Sequence, residues 1–101
     1  MVKKQTKKAS TVLVEAANMK VKRLEHCLAD FDFDGKPIGY CALGLLGCRA
    51  GLIKTRHDDP AYDDIWSAYG IPEDIGIETY ERNDKGWSFR RIAKWLRSKG
   101  F

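Results

Sequence analysis

Tyr40-Cys41-Ala42-Leu43-Gly44-Leu45-Leu46-Gly47-Cys48 carries no charge, in a chain in which 32% of residues are charged. A run this short and this apolar belongs at the centre of a fold. Its length and composition predict a helix over residues 41–50, with Gly51 placed to end it. A helix apolar on every side is a buried one. Gly44 and Gly47 each cost about 1 kcal/mol of helix propensity relative to alanine. The simplest compensation is a neighbouring segment lying close over the missing side chains.

The rest of the chain reads as elements that would cover this axis. Ser10 or Thr11 is a candidate cap for a first helix, with Val14, Ala17, Val21, Leu24 and Leu28 as its apolar stripe; periodicity leaves open an interruption near residue 20. Phe31 and Phe33, then Asp34-Gly35, then Ile38 and Tyr40 predict a small hairpin with Phe31 opposite Ile38. Asp59-Pro60 reads as the start of a third helix, with Tyr62, Ile65, Trp66 and Tyr69 inward and Gly70 ending it. Pro72, Glu73 and Asp74 open a further segment. Asn83-Asp84-Lys85-Gly86 reads as a turn, and Ser88 as the cap of a last helix over 89–99. Phe89, Ile92, Ala93 and Leu96 would be its inner face. The expected fold is all-α or predominantly α, with four or five short helices around the 41–50 helix. Residues 1–9 are expected to be a flexible basic tail and residues 10–101 a single domain.

Size and composition narrow the function classes. The 101 residues suffice for one core. No apolar run approaches the roughly 20 residues that span a bilayer, and no signal-peptide pattern is present. Three cysteines fit a reducing compartment, so a cytoplasmic protein with no membrane partner is expected. Charge is uneven. Residues 1–23 hold seven Lys/Arg against one acid, residues 24–84 five against thirteen, and residues 85–101 six against none. Basic ends of this kind suit an anionic partner.

Several chemistries compete for the polar residues. Cys41 begins a helix, where the dipole can lower a thiol's pKa, and His57 or His26 could act as a base oriented by Asn83 or Asp84. That is the alternative of a small cysteine-dependent enzyme. Asp30, Asp32 and Asp34 with Gly35 match the first half of a calcium loop, but Cys41 stands where its closing glutamate belongs. Cys27, Cys41, Cys48, His26 and His57 lack the close pairs of a zinc site. No metal or other cofactor is expected. Residues 86–96 resemble the first helix of a helix-turn-helix, but no recognition helix follows. What remains is a basic, aromatic face: Arg90, Arg91, Lys94 and Arg97, with Trp87 and Trp95. Those residues can contact phosphates and stack on bases, or anchor an acidic protein.

Two of these stretches together resemble a family of small bacteriophage and prophage proteins. One family motif is a Cys-(Ala/Cys)-Leu-Gly-x-Leu helix, matched at Cys41, Leu43, Gly44 and Leu46. The other is Asn-Asp-x-Gly-x-Ser-Phe-x-x-Ile-Ala, matched at Asn83, Asp84, Gly86, Ser88, Phe89, Ile92 and Ala93. The resemblance covers about residues 24–98 and implies a compact helical domain of viral or mobile-element origin. It brings no catalytic residues. Where relatives tend to be acidic after the Ile-Ala step, this chain reads Lys94-Trp95-Leu96-Arg97. The combined expectation is a non-enzymatic binding protein acting on an anionic host partner: nucleic acid, a nucleotide signal or an acidic protein. Interference with host defence is the purpose the resemblance implies.

Overall fold

The central segment folds as helix α2, Ala42–Arg49, with Cys41 as its N-cap. The Cys41 Sγ accepts a hydrogen bond from the Gly44 amide at 3.2 Å. Residues 42–47 are all buried, and the helix touches α1, α3, α4 and β2, so it is the axis of the fold. The two glycines are where neighbours come closest. The Leu28 carbonyl lies over Gly44, and the δ-methyls of Ile53 and Ile65 close over Gly47.

The computed structural model describes residues 4–101. Around α2 stand α1 (Ala9–Asn18), the strands β1 (Ala29–Phe31) and β2 (Pro37–Tyr40), α3 (Tyr62–Ala68), α4 (Glu73–Asp84) and α5 (Phe89–Ser98). The fold is therefore predominantly helical, with five helices and one antiparallel hairpin among the described residues. No described helix is long and apolar enough to cross a membrane.

All five helices end in one way. The second residue past each C-cap donates its amide back to a carbonyl five residues earlier: Val21 to Ala16, Leu52 to Gly47, Ile71 to Trp66, Trp87 to Arg82 and Phe101 to Leu96. The residue before it is left-handed and is glycine at four of the five ends. This is the Schellman arrangement, in which an apolar residue after the left-handed position folds back on the helix. At the end of α1 the left-handed residue is Lys20, φ 58°.

That ending places the open interruption near residue 20 and corrects the continuous stripe. The helix starts at Ala9 and stops at Asn18, so Val21, Leu24 and Leu28 lie outside it. Its inward face is Ala9, Val12, Leu13 and Ala16, packed on α5, rather than the stripe through Val14 and Ala17. Ser10 is no cap. It is buried inside the helix, and its amide and Oγ both donate to the Phe101 carbonyl, each at 3.1 Å. The segment expected as a tail is partly tied down: the Gln5 amide donates to Ala68 O at 2.7 Å, and Lys7 pairs with Glu15 at 2.9 Å. Residues 1–3 of that expected tail lie outside the described residues.

The hairpin is present with a different register. Ala29 faces Tyr40, Asp30 faces Gly39, and a bulge puts Phe31 opposite Pro37 instead of Ile38. Beyond the strands the Asp32 amide donates to Lys36 O at 2.9 Å, closing a three-residue loop over residues 33–35 in which only Gly35 takes positive φ, rather than a two-residue turn. The Asp32 carboxylate sets it by accepting the amides of Asp34 and Lys36. On its other side β2 is flanked by residues 22–24: the Tyr40 amide donates to Lys22 O and the Leu24 amide to Tyr40 O.

Two further boundaries moved. Helix α3 begins at Tyr62, with Ala61 and not Asp59 as its N-cap. Helix α4 runs through Asn83 and Asp84, which are its last turn and not a loop; the left-handed residue is Gly86. Helix α5 forms as expected. Ser88 Oγ accepts the Arg91 amide at 3.1 Å, and Phe89, Ile92, Ala93 and Leu96 are buried. Each large apolar side chain buried there contributes about 1.5–3 kcal/mol.

Candidate functional site

The 3.6-residue period that turns Phe89, Ile92, Ala93 and Leu96 inward leaves Arg90, Arg91, Lys94 and Arg97 exposed. Arg90, Lys94 and Arg97 share one stripe. Arg90 bends toward the end of α1, where its guanidinium donates to Asn18 Oδ1. Lys94 and Arg97 make no ion pair among the described residues.

Beside that stripe the aromatic residues assemble with a cation the sequence reading did not include. The Schellman turn of α4 folds Trp87 back over the last turns of that helix, and Arg82 reaches it. The Arg82 guanidinium lies 4.7 Å from the Trp87 ring centroid and 4.4 Å from that of Trp95. Arg91 lies over Trp87 at 3.8 Å. The order is Arg91–Trp87–Arg82–Trp95, two cations alternating with two indoles. Such contacts are each worth about 0.5–2 kcal/mol. Glu78 faces the Arg82 guanidinium at 3.9 Å, and the Arg82 Nε is enclosed without a partner among the described residues. Reading residues 83–86 as a turn had separated Arg82 from α5. Recognising the Gly86-Trp87 step as a helix end would have joined them.

Trp87 thus meets two guanidinium groups and Trp95 one. Exposed Arg91, at the end of the row, keeps an N–H edge for two-pronged contact with phosphate or carboxylate oxygens, whereas the enclosed Arg82 Nε does not.

Around Cys41 the geometry is different. The thiol is 5% exposed, and burial pushes its pKa up to about 11 despite the hydrogen bond from the Gly44 amide. Burial outweighs the helix end, so the thiolate is scarce at neutral pH. His57 is exposed in the loop after α2, its amide bonded to Thr55 Oγ1, and takes no part in lining the cavity beside Cys41. His26 lines that cavity, of about 170 Å³, with Cys27 and Asp84. Asp84 accepts the His26 amide at 2.9 Å and faces its Nδ1 at 3.5 Å. Asn83 is fully buried and structural in its contacts: its Oδ1 accepts the Ala42 amide at 3.0 Å and its Nδ2 donates to Leu24 O at 2.7 Å. Cys41, His57 and Asn83 are therefore not brought together as nucleophile, base and orienter.

These placements predict thiol reactivity. At pH 8 a thiol reagent is expected to label exposed Cys27 ahead of Cys41, which reacts only on unfolding. Rapid labelling of Cys41 in the folded protein would contradict its burial. The raised pKa also sets a pH dependence. The folded state holds the Cys41 proton more tightly than the unfolded chain, whose thiol titrates near 9.0. The stability it contributes is present below that pH and is lost as pH rises toward about 11. Tyr69, pushed up to about 12 chiefly by burial, extends the loss to higher pH. Melting temperatures should fall between pH 8.5 and 11, and less steeply for Cys41→Ala.

The aspartates of the hairpin serve the backbone. Asp30 accepts the Phe31 amide and Asp32 the amides of Asp34 and Lys36. The described residues include no group of three or more His, Cys, Asp or Glu side chains arranged to hold a metal.

No protein-family model, curated protein or solved structure matches this chain.

Proposed function

We propose that the chain is a non-enzymatic binding protein that holds nucleic acid through the α5 face. The observation that carries this reading is the Arg91–Trp87–Arg82–Trp95 stack, flanked by unpaired Lys94 and Arg97. From Arg90 to Arg97 the helix rises about 10 Å, a span that follows successive phosphates of one strand. Helix α5 carries no acid to interrupt it. The contacts are to the phosphate backbone and carry little sequence preference. The likeness to phage and prophage proteins, resting on the two sequence motifs, makes the partner a host molecule in the host cytoplasm and interference with host defence the purpose.

The test is fluorescence anisotropy of a labelled single-stranded oligonucleotide across a salt series. Affinity should fall steeply with salt, with a log–log slope of about −0.7 per phosphate contacted. Changing Arg90, Lys94 and Arg97 together to Glu should weaken binding at least about 100-fold while circular dichroism stays unchanged. The pair Lys94→Glu and Arg97→Glu, which spares the Arg90–Asn18 contact, should show most of that loss. Unchanged binding by a folded triple variant would end the proposal. Preference for an acidic polypeptide over the oligonucleotide would replace nucleic acid with protein as the partner.

A further inference from the structure

A second basic region lies where the end of α1, strand β2 and the end of α2 meet. A cleft of about 350 Å³ opens there, lined by Lys20, Lys22 and Arg49 together with Val21, Ile38 and Tyr40. That volume falls within the range of small-molecule sites, about 300–1,000 Å³. No carboxylate is among the lining residues. Lys20, Lys22 and Arg49 make no ion pair among the described residues, and the Arg49 guanidinium donates to the Met19 sulfur at 4.0 Å.

Each cation is set by backbone structure. Lys20 is the left-handed residue that ends α1. Lys22 is held beside β2 by the hydrogen bond from the Tyr40 amide to its carbonyl, and packs so tightly on Gly39 that a Cβ there would come within 2.8 Å of Lys22 O. Arg49 is the last residue of α2. The apolar wall has an equally definite origin. The β-bulge leaves Ile38 without a partner across the hairpin, and it remains 44% exposed at the cleft. A neighbouring cleft of about 450 Å³ shares Arg49 but contains Glu15, which neutralises its Lys7.

Three unpaired cations around an apolar wall define the ligand by complementarity. We propose that this cleft binds an amphiphilic anion, a compact oxyanion headgroup on an aliphatic body, with Lys20, Lys22 and Arg49 on the headgroup and Val21 and Ile38 on the body. Charge alone would serve inorganic phosphate, and the apolar wall alone would serve an alcohol. The cleft joins both.

Decanoate is the probe, titrated into the ¹⁵N-labelled chain and followed by amide chemical shifts. Saturable shifts are expected at Val21, Lys22, Gly39, Tyr40 and Arg49. Decanol and inorganic phosphate should each bind at least tenfold more weakly. Lys22→Gln with Arg49→Gln should weaken decanoate binding at least tenfold, while Lys94→Glu with Arg97→Glu, which spares the Arg90–Asn18 contact, leaves it unchanged. Should the first pair disturb the fold, Lys20→Gln with Lys22→Gln tests the same point. Shifts confined to α5, no saturation, or equal binding of decanol would overturn the proposal.

Discussion

Gly44→Ala is expected to unfold the protein or cost it most of its stability. A Cβ at residue 44 would lie 1.7 Å from the Leu28 carbonyl oxygen and 2.5 Å from its carbon. These are backbone atoms, so no rotamer change relieves the overlap. The segment around Leu28 would have to leave α2, breaking the bond from the Cys41 amide to Leu28 O and with it the start of the hairpin ladder. Native stability for a chain of this size is about 5–15 kcal/mol, and the expected loss exceeds about 4 kcal/mol. Gly47→Ala is the comparison. There the nearest atoms are the δ-methyls of Ile53 and Ile65, at 3.0 and 3.2 Å, which can give way. The gain of about 1 kcal/mol in helix propensity offsets part of that strain. Thermal and urea unfolding of the two variants measures the difference. A Gly44→Ala protein within 1 kcal/mol of the parent would mean that the Leu28 carbonyl does not lie over Gly44.

The second large effect belongs to Asn83. It is buried, and from the last turn of α4 it ties α2 and the segment at residues 23–24 to that helix. Its side chain receives the first amide of α2 at Ala42 and donates to Leu24 O, and its own carbonyl accepts Arg23 Nη1 at 2.7 Å. Asn83→Ala leaves a buried donor and a buried acceptor without partners, each costing about 1–3 kcal/mol. The expected loss is about 3–5 kcal/mol, read as a lower urea midpoint with an unchanged slope. Asn83→Asp is expected to fail similarly at neutral pH: a carboxylate cannot donate to Leu24 O, and its charge would be buried beside Asp84. A small effect of both changes on stability would remove Asn83 from the framework and return it to the functional candidates.

These two residues show what was readable in the chain. Gly44 announced a close approach because glycine in a buried helix needs a compensating contact, but the partner was not nameable. Leu28 is sixteen residues away, across a loop and a hairpin. Asn83 read as a turn former, which is its commonest local role. Its actual role rests on contacts with residues about 40 and 60 positions away. Arg82 was missed for the same reason, since its two indole contacts exist only after Gly86 reverses the chain.

Short-range physics therefore accounts for the helical character of the chain, the buried α2, the inward and outward faces of α5 and the existence of a turn at Gly35. Each depends on periodicity, a cap or a left-handed glycine, and these act within a few residues. Where α1 stops, how the hairpin pairs, and which cations stand together were settled by packing. Lys20 adopts a conformation ordinarily left to glycine because Val21 must fold back on α1. Phe31 slips to Pro37 because the bulge moves Ile38 out of line. Long-range contacts outweigh such local preferences because burial and a satisfied buried amide are worth several kcal/mol, whereas the preferences themselves differ by about one.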